Sequence, residues 1–212
     1  VGDASGKGIG AALIATVTLS VLRAERRLGA TPKRMIEQAN EALREATDSD
    51  SFTTCVYATV DLSSGEVRWL NMGHPSPFLL QGASRGDGGS RGYYVEGPRN
   101  RALGWFDDPG LSEAVARLEP GDRLVFYTDG FLEAKSTEGE IFGERRLGHE
   151  LLRGAPLGSE EMGEEVVRRV ERWAAGKLDD DLTMLILEFV GSPLGGGVER
   201  HLTGDEPWHS KR

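Results

Sequence analysis

Three short stretches hold the residues best suited to chemistry: Asp3 in VGDASGKGIG, Asp129 in YTDGFLEA, and Asp179, Asp180 and Asp181 in LDDDLTMLILEF. Each lies where an apolar or β-branched run ends or begins, beside glycines or polar residues. Hard dications such as Mg2+ and Mn2+ prefer carboxylate oxygens and take few protein ligands. Aspartates brought from separate strand ends to one edge of a sheet can hold two such ions. A pair of ions about 3.5–4 Å apart activates a bridging water for in-line attack on a phosphate ester. Taken singly, each has a plainer reading: Asp3, beside glycines, as a turn residue or a cap, and the acids at the ends of apolar strands as points where the chain reaches water. Recurrence at three strand ends favours the metal.

The opening run also invites a nucleotide-binding reading, which its spacing rejects. A phosphate-binding P-loop needs four residues between its first glycine and Gly-Lys, then Ser or Thr. Here Gly2 and Gly6 are separated by three residues, and Gly8 follows Lys7. The dinucleotide fingerprint fails as well, since no GxGxxG can be drawn from Gly2. A net charge of −9 excludes a basic nucleic-acid or anionic-membrane surface as the main feature. With 212 residues, 38% hydrophobic and 28% charged, the chain reads as one globular domain with a tail. No apolar run approaches the roughly 20 residues of a membrane span, so the expected location is cytoplasmic. Cys55, the single cysteine, reads as a small buried thiol within FTTCVYATV.

The elements that must position these acids follow from periodicity. Apolar residues at helical spacing predict a helix over Ile9–Leu28 with Gly29 at its C-terminal cap. Thr31-Pro32 caps and opens a second helix running to about Thr47, expected antiparallel to the first. FTTCVYATVDL, SSG and EVRWLNMG predict a β-hairpin, and PFLLQ a further strand. Gly82–Gly92 reads as a flexible surface loop. LSEAVARLEPGDRLVFYTDG predicts two strands around Glu-Pro-Gly-Asp. Helices follow over Phe142–Arg153 and Ser159–Ala175, the latter capped by Ser159. The closing run LTMLILEFV predicts a strand buried on both faces. Residues 191–212 read as a disordered tail. Two helices, largely antiparallel strands, two helices and a last strand define an α+β layered domain.

GDASGKGIGAAL, FTT, NMGHPSPFLL, LEPGDRLVFYTDGFLEA and DDDLTMLILEF, in that order, resemble the PPM-type protein phosphatases. The nearest branch is the bacterial SpoIIE/RsbU type, related to protein phosphatase 2C, and the likeness spans residues 1–190. It implies an αββα sandwich of two largely antiparallel sheets flanked by helix pairs. It also implies hydrolysis of phosphoserine or phosphothreonine on a protein by a water activated between two Mn2+ or Mg2+ ions. The resemblance makes Asp3 a bridging metal ligand, lets Ala4 lend a backbone carbonyl, and makes Asp129 and Asp180 further ligands. Asp181, Gly130 and Lys7 are then supporting or substrate-side positions. The implied substrate is a phosphorylated STAS-domain (anti-anti-sigma) protein, with an upstream sensor or regulatory domain in the whole gene, no nucleic acid, and a homodimer left open. The family carries another acidic ligand upstream of Asp3. Either the protein has lost that ligand or, the favoured implication, this is an N-terminally incomplete domain lacking its first strand or strands, and a missing N-terminal region could anchor the whole protein to a membrane.

Other conspicuous residues have plainer readings. His74 in NMGHPSP resembles a general acid, but anchoring a turn between strands is the favoured role. His149, His201 and His209 lack ligand spacing. Trp69, Phe126 and Tyr127 belong to strands and read as core, and RAERR as a solvated helix end. Two rivals remain: a pseudophosphatase that binds a phosphoprotein without turnover, and a metal-dependent phosphohydrolase acting on small molecules.

Overall fold

The computed structural model describes residues 1–47, 51–82 and 90–191. Strand β1 (Gly2–Ala4) leads through glycines into α1 (Ile9–Arg27) and then α2 (Pro32–Ala46). The predicted cap forms at α2: Thr31 accepts a hydrogen bond from the Arg34 amide (3.4 Å), with Pro32 in the first turn. Strands β2 (Thr53–Val60) and β3 (Glu66–Met72) form the expected hairpin, with Tyr57 opposite Leu70. Its turn is closed by Asp61, whose Oδ1 accepts from the amides of Ser63 (2.8 Å) and Ser64 (3.3 Å).

Nine strands make two sheets among the described residues. In the first, β1 pairs β2 and β2 pairs β3. The far edge of β3 is shared by β6 (Arg99–Asn100, parallel) and β7 (Ala114–Arg117, antiparallel). The second runs β5 (Arg91–Tyr94), β4 (Phe78–Gln81), β8 (Arg123–Tyr127), β9 (Met184–Glu188), all antiparallel. Alternation along each strand builds the layers. Leu124 and Phe126 of β8 meet Val67 and Trp69 of β3 between the sheets. Val125 and Tyr127 face the other way, onto α3 (Gly130–Glu133), α4 (Gly143–Gly154) and α5 (Ser159–Trp173). Leu70 and Met72 face Ile14, Ile36, Ala39 and Leu43 of α1 and α2. The result is the αββα sandwich, with Trp69, Phe126 and Tyr127 in the core and Cys55 buried, its thiol pushed up to about 12 by burial.

Several expectations need correction. The two strands flanking Glu-Pro-Gly-Asp form as expected, but they divide between the layers: β7 joins the first sheet and β8 the second. Asp122 builds that corner, being fully buried and accepting from the amides of Glu119 and Gly82 (both 2.9 Å). The final strand β9 is not buried on both faces. It lies at the edge of its sheet, and Leu185 is 51% exposed there. Ser159 does not cap α5; Gly158 occupies that position, and the Ser159 hydroxyl donates to Glu188 on β9 (2.5 Å). The expected loop Gly82–Gly92 gives up its last residues to β5, and its centre, 83–89, lies outside the described residues. The tail from 192 onward lies outside them too, and with it His201 and His209. No described helix is long and apolar enough to cross a membrane.

Candidate metal centre

Asp3 sits on β1 directly opposite Thr54 of β2. The strand is tied down on both sides of it: Val56 N–H donates to Val1 O (2.8 Å), and Ser5 N–H to Phe52 O (2.9 Å). The Ser5 hydroxyl oxygen also accepts from the Phe52 amide (2.9 Å). Beyond it the chain turns at Gly6 and Gly8, both with positive φ (88° and 73°), a conformation costly for residues with a Cβ. The glycines turn a strand into a helix.

Asp129 follows β8 on the other sheet. Its carbonyl accepts from the amides of Leu132 (2.7 Å) and Glu133 (2.9 Å), starting α3. An aspartate in this position usually turns its side chain back to cap the helix. Asp129 makes no such bond, and its buried Oδ1 has no hydrogen-bond partner. The plainer reading of Asp129, a strand end that has reached water, does not fit this buried oxygen, and buried carboxylate oxygens are normally partnered.

Asp180 comes from the loop before β9, which is fastened to the rest of the site at several points. The Lys7 ammonium donates to Asp179 O (2.5 Å), and Lys135 pairs with the Asp179 carboxylate (3.3 Å). The Thr128 hydroxyl donates to Asp181 O (3.1 Å) and accepts from the Thr183 amide (3.0 Å). Gly130 is required by this closeness, since a Cβ there would lie 2.5 Å from Asp181 O.

One carboxylate oxygen each from Asp3, Asp129 and Asp180 lies within 4.8 Å of the other two. Burial, then the charges of Asp129 and Asp180, raise the pKa of Asp3, while the adjacent Ala4 amide acts in the opposite direction. Like charges this close repel, and a bound dication would invert that balance. Three hard oxygen donors, one of them orphaned, suit Mg2+ or Mn2+ and offer nothing to a soft metal.

Of the positions singled out in the sequence, the structure brings Asp3, Asp129 and Asp180 together and places Ala4 beside Asp3. Asp181 contributes through its backbone, its amide bonding Asp180 Oδ1 (2.9 Å). Lys7 braces the 179–181 loop. His149 lies apart on α4, beside Glu150 (3.3 Å). His74 is buried in the turn after β3, its amide held by Asn71 Oδ1 (2.8 Å). Burial lowers its pKa to about 4, so the ring is neutral and unsuited to acid catalysis near neutral pH. Sequence reasoning missed Thr128 as the brace between the two acidic segments. The hint was a threonine in both YTDG and DDDLT.

The family model for stage II sporulation protein E (SpoIIE) matches residues 1–190. Phosphoserine phosphatase RsbU of Bacillus subtilis (strain 168) is 24% identical over 188 residues, covering 88% of this chain and 54% of RsbU. The chain spans about half or less of the length of the curated relatives it matches. Among solved structures, the RsbU and RsbW domains of Rv1364c from Mycobacterium tuberculosis share the fold, with TM-score 0.75 and 22% identity over 91% of this chain and 51% of that one. RsbX, solved in complex with magnesium, has TM-score 0.57 and 16% identity over 87% and 77% of the respective chains.

Proposed function

The chain belongs to the SpoIIE family of PP2C-type phosphatase domains, and from that premise we propose that it hydrolyses phosphoserine or phosphothreonine on a signalling protein. The substrate class we assign is a phosphorylated STAS-domain protein, and the metal is Mn2+ or Mg2+. The single observation that carries this reading is the convergence of Asp3, Asp129 and Asp180 with the Asp129 Oδ1 left unpartnered.

These three carboxylates would hold the ions, with the Ala4 backbone available next to Asp3. When bound, divalent ions lower the pKa of water and offset charge on the phosphoryl oxygens. The remaining residues act by position. The Gly6–Gly8 turn leaves bare backbone beside Asp3, so a phosphoryl group can approach. Lys7 and Lys135 hold the 179–181 loop, and Thr128 locks it to the end of β8.

The test is Mn2+-dependent phosphate release from a phosphoserine-bearing STAS protein, for wild type and Asp129→Asn. Release by wild type and none by the variant is expected. Equal release by both would overturn the assignment of the site. Tight binding of the phosphoprotein without release would replace it with a phosphoprotein-binding module.

A further inference from the structure

Asp3 and Asp129 stand on different sheets, so their separation is set by the spacing of the sheets and by neither strand alone. Sheets packed face to face touch through side chains and have no backbone bonds between them. Something at this end of the sandwich must define the gap.

The segment from His74 to Pro77 is where the chain crosses from β3 in one sheet to β4 in the other. It is fastened on both sides of the metal centre. On the first sheet, His74 Nδ1 and Thr54 Oγ1 are 2.9 Å apart, and Thr54 is the residue opposite Asp3. Asn71 locks the turn, accepting from the His74 amide (2.8 Å) and donating to its carbonyl (2.9 Å). On the second sheet, the Tyr127 hydroxyl donates to Ser76 O (2.9 Å), and Tyr127 closes β8 two residues before Asp129. The Tyr127 backbone also lies close enough to the His74 ring to favour its protonated form, though Nε2 makes no well-formed hydrogen bond. His74 and Asn71 are only 6% and 5% exposed, and prolines at 75 and 77 restrict the backbone between the two fastenings.

We propose that His74 is a positioning residue at the centre of a strut between the sheets: through Thr54 on one side and the Ser76–Tyr127 contact on the other, it sets the separation of the Asp3 and Asp129 carboxylates. In its metal consequences the proposal rests on the function assigned above. The mechanical part stands without it. A buried ring bonded to the Thr54 hydroxyl on one sheet and lying against the Tyr127 backbone on the other acts as a spacer of fixed length, and Thr54 transmits its position across one β-ladder rung to Asp3.

The experiment uses the whole chain and two readouts that do not depend on turnover. The first is Mn2+ binding, followed by the loss of the free-ion paramagnetic resonance signal. Thr54→Val and His74→Ala should each weaken binding about tenfold or more, the scale typical of groups that orient metal ligands. The double variant should be no weaker than His74→Ala, since both remove one bond. Thr54→Ser, which keeps the hydroxyl, should bind nearly as wild type does. The second readout is amide exchange without metal. His74→Ala should speed exchange on both sheets, at residues 1–5 with 53–56 and at 127–131, leaving α5 protected. Tyr127→Phe should do so chiefly at 127–131, which keeps the test available if His74→Ala fails to fold. Faster exchange confined to residues 71–77, or unchanged Mn2+ affinity in both single variants, overturns the strut and leaves a turn anchor. Absence of Mn2+ binding by wild type overturns the metal centre instead, and the exchange pattern then decides the strut alone.

Discussion

Two groups of carboxylates in this molecule meet opposite fates. On α5, Glu165 is surrounded by Arg168 (3.0 Å), Arg169 (2.9 Å) and Arg172 (3.3 Å), and its pKa is lowered, first by the hydrogen bond from Arg168. At the sheet ends, Asp3 faces Asp129 and Asp180, and its pKa is raised. Among the described residues no cationic side chain pairs with those three; the nearby lysines Lys7 and Lys135 are spent on Asp179. The helix group is neutralised by the chain itself. The strand-end group stores repulsion that an external cation would relieve. That contrast separates a surface ion-pair network from a binding site more sharply than acidity does.

The largest expected effect comes from removing one member of the uncompensated group. Asp129→Asn should abolish Mn2+ binding and reduce phosphate release at least about a hundredfold, because a metal's charge stabilisation is worth several kcal/mol. Direct assay of both quantities checks it, and a variant that retained either would dissolve the distinction between the two groups. Next, Mn2+ should raise the melting temperature of the wild type. At about 100 times the dissociation constant the stabilisation is roughly 2.7 kcal/mol. Asp129→Asn should show no such response in the same calorimetric titration.

The third effect is one of sign against pH. Without metal, folded Asp3 binds its proton more tightly than in the unfolded chain. Stability should therefore fall as pH rises from about 4 through the raised folded value. Asp3→Asn should remove that fall and be at least as stable as wild type at pH 7, read by denaturant midpoints in chelator. Glu165 has the opposite sign: its contribution is present above the unfolded carboxylate range and is lost as pH drops through the lowered folded value. The smallest effect is Glu165→Gln. It should lower the melting temperature by about 2 °C or less, fade in high salt, and leave Mn2+ binding untouched.

His74 tested the limits of reading a motif. Its neighbours Gly73, Pro75 and Pro77 announced a turn, and the turn is there. That the ring also reaches the partner of Asp3, while the crossing segment reaches the strand of Asp129, depends on residues 20 and 51 positions away in the contacts of His74 and Ser76. No local pattern carries such information.

The sequence by itself determined the elements whose cause is local. Apolar spacing, Thr31-Pro32 and Gly29 define α1 and α2. β-branched, aromatic and apolar runs of strand length mark β2, β3, β4 and β8, and the placing of aspartates beside turn residues marked Asp3, Asp129 and Asp180. Only the tertiary structure decided which sheet each strand joins, so that β7 and β8 separate across a tight turn on buried Asp122. It also decided that β9 is an edge, that a run as short as RGYY is a strand because β4 offers it a ladder, and that Ser159 bonds β9 instead of capping its helix. The same holds for the site. Residue type and strand end were legible, because they rest on side-chain chemistry and backbone propensity within a few residues. The approach of three carboxylates to within 4.8 Å was not, because packing two sheets across a shared core is a non-local event, and only that packing overcomes their repulsion.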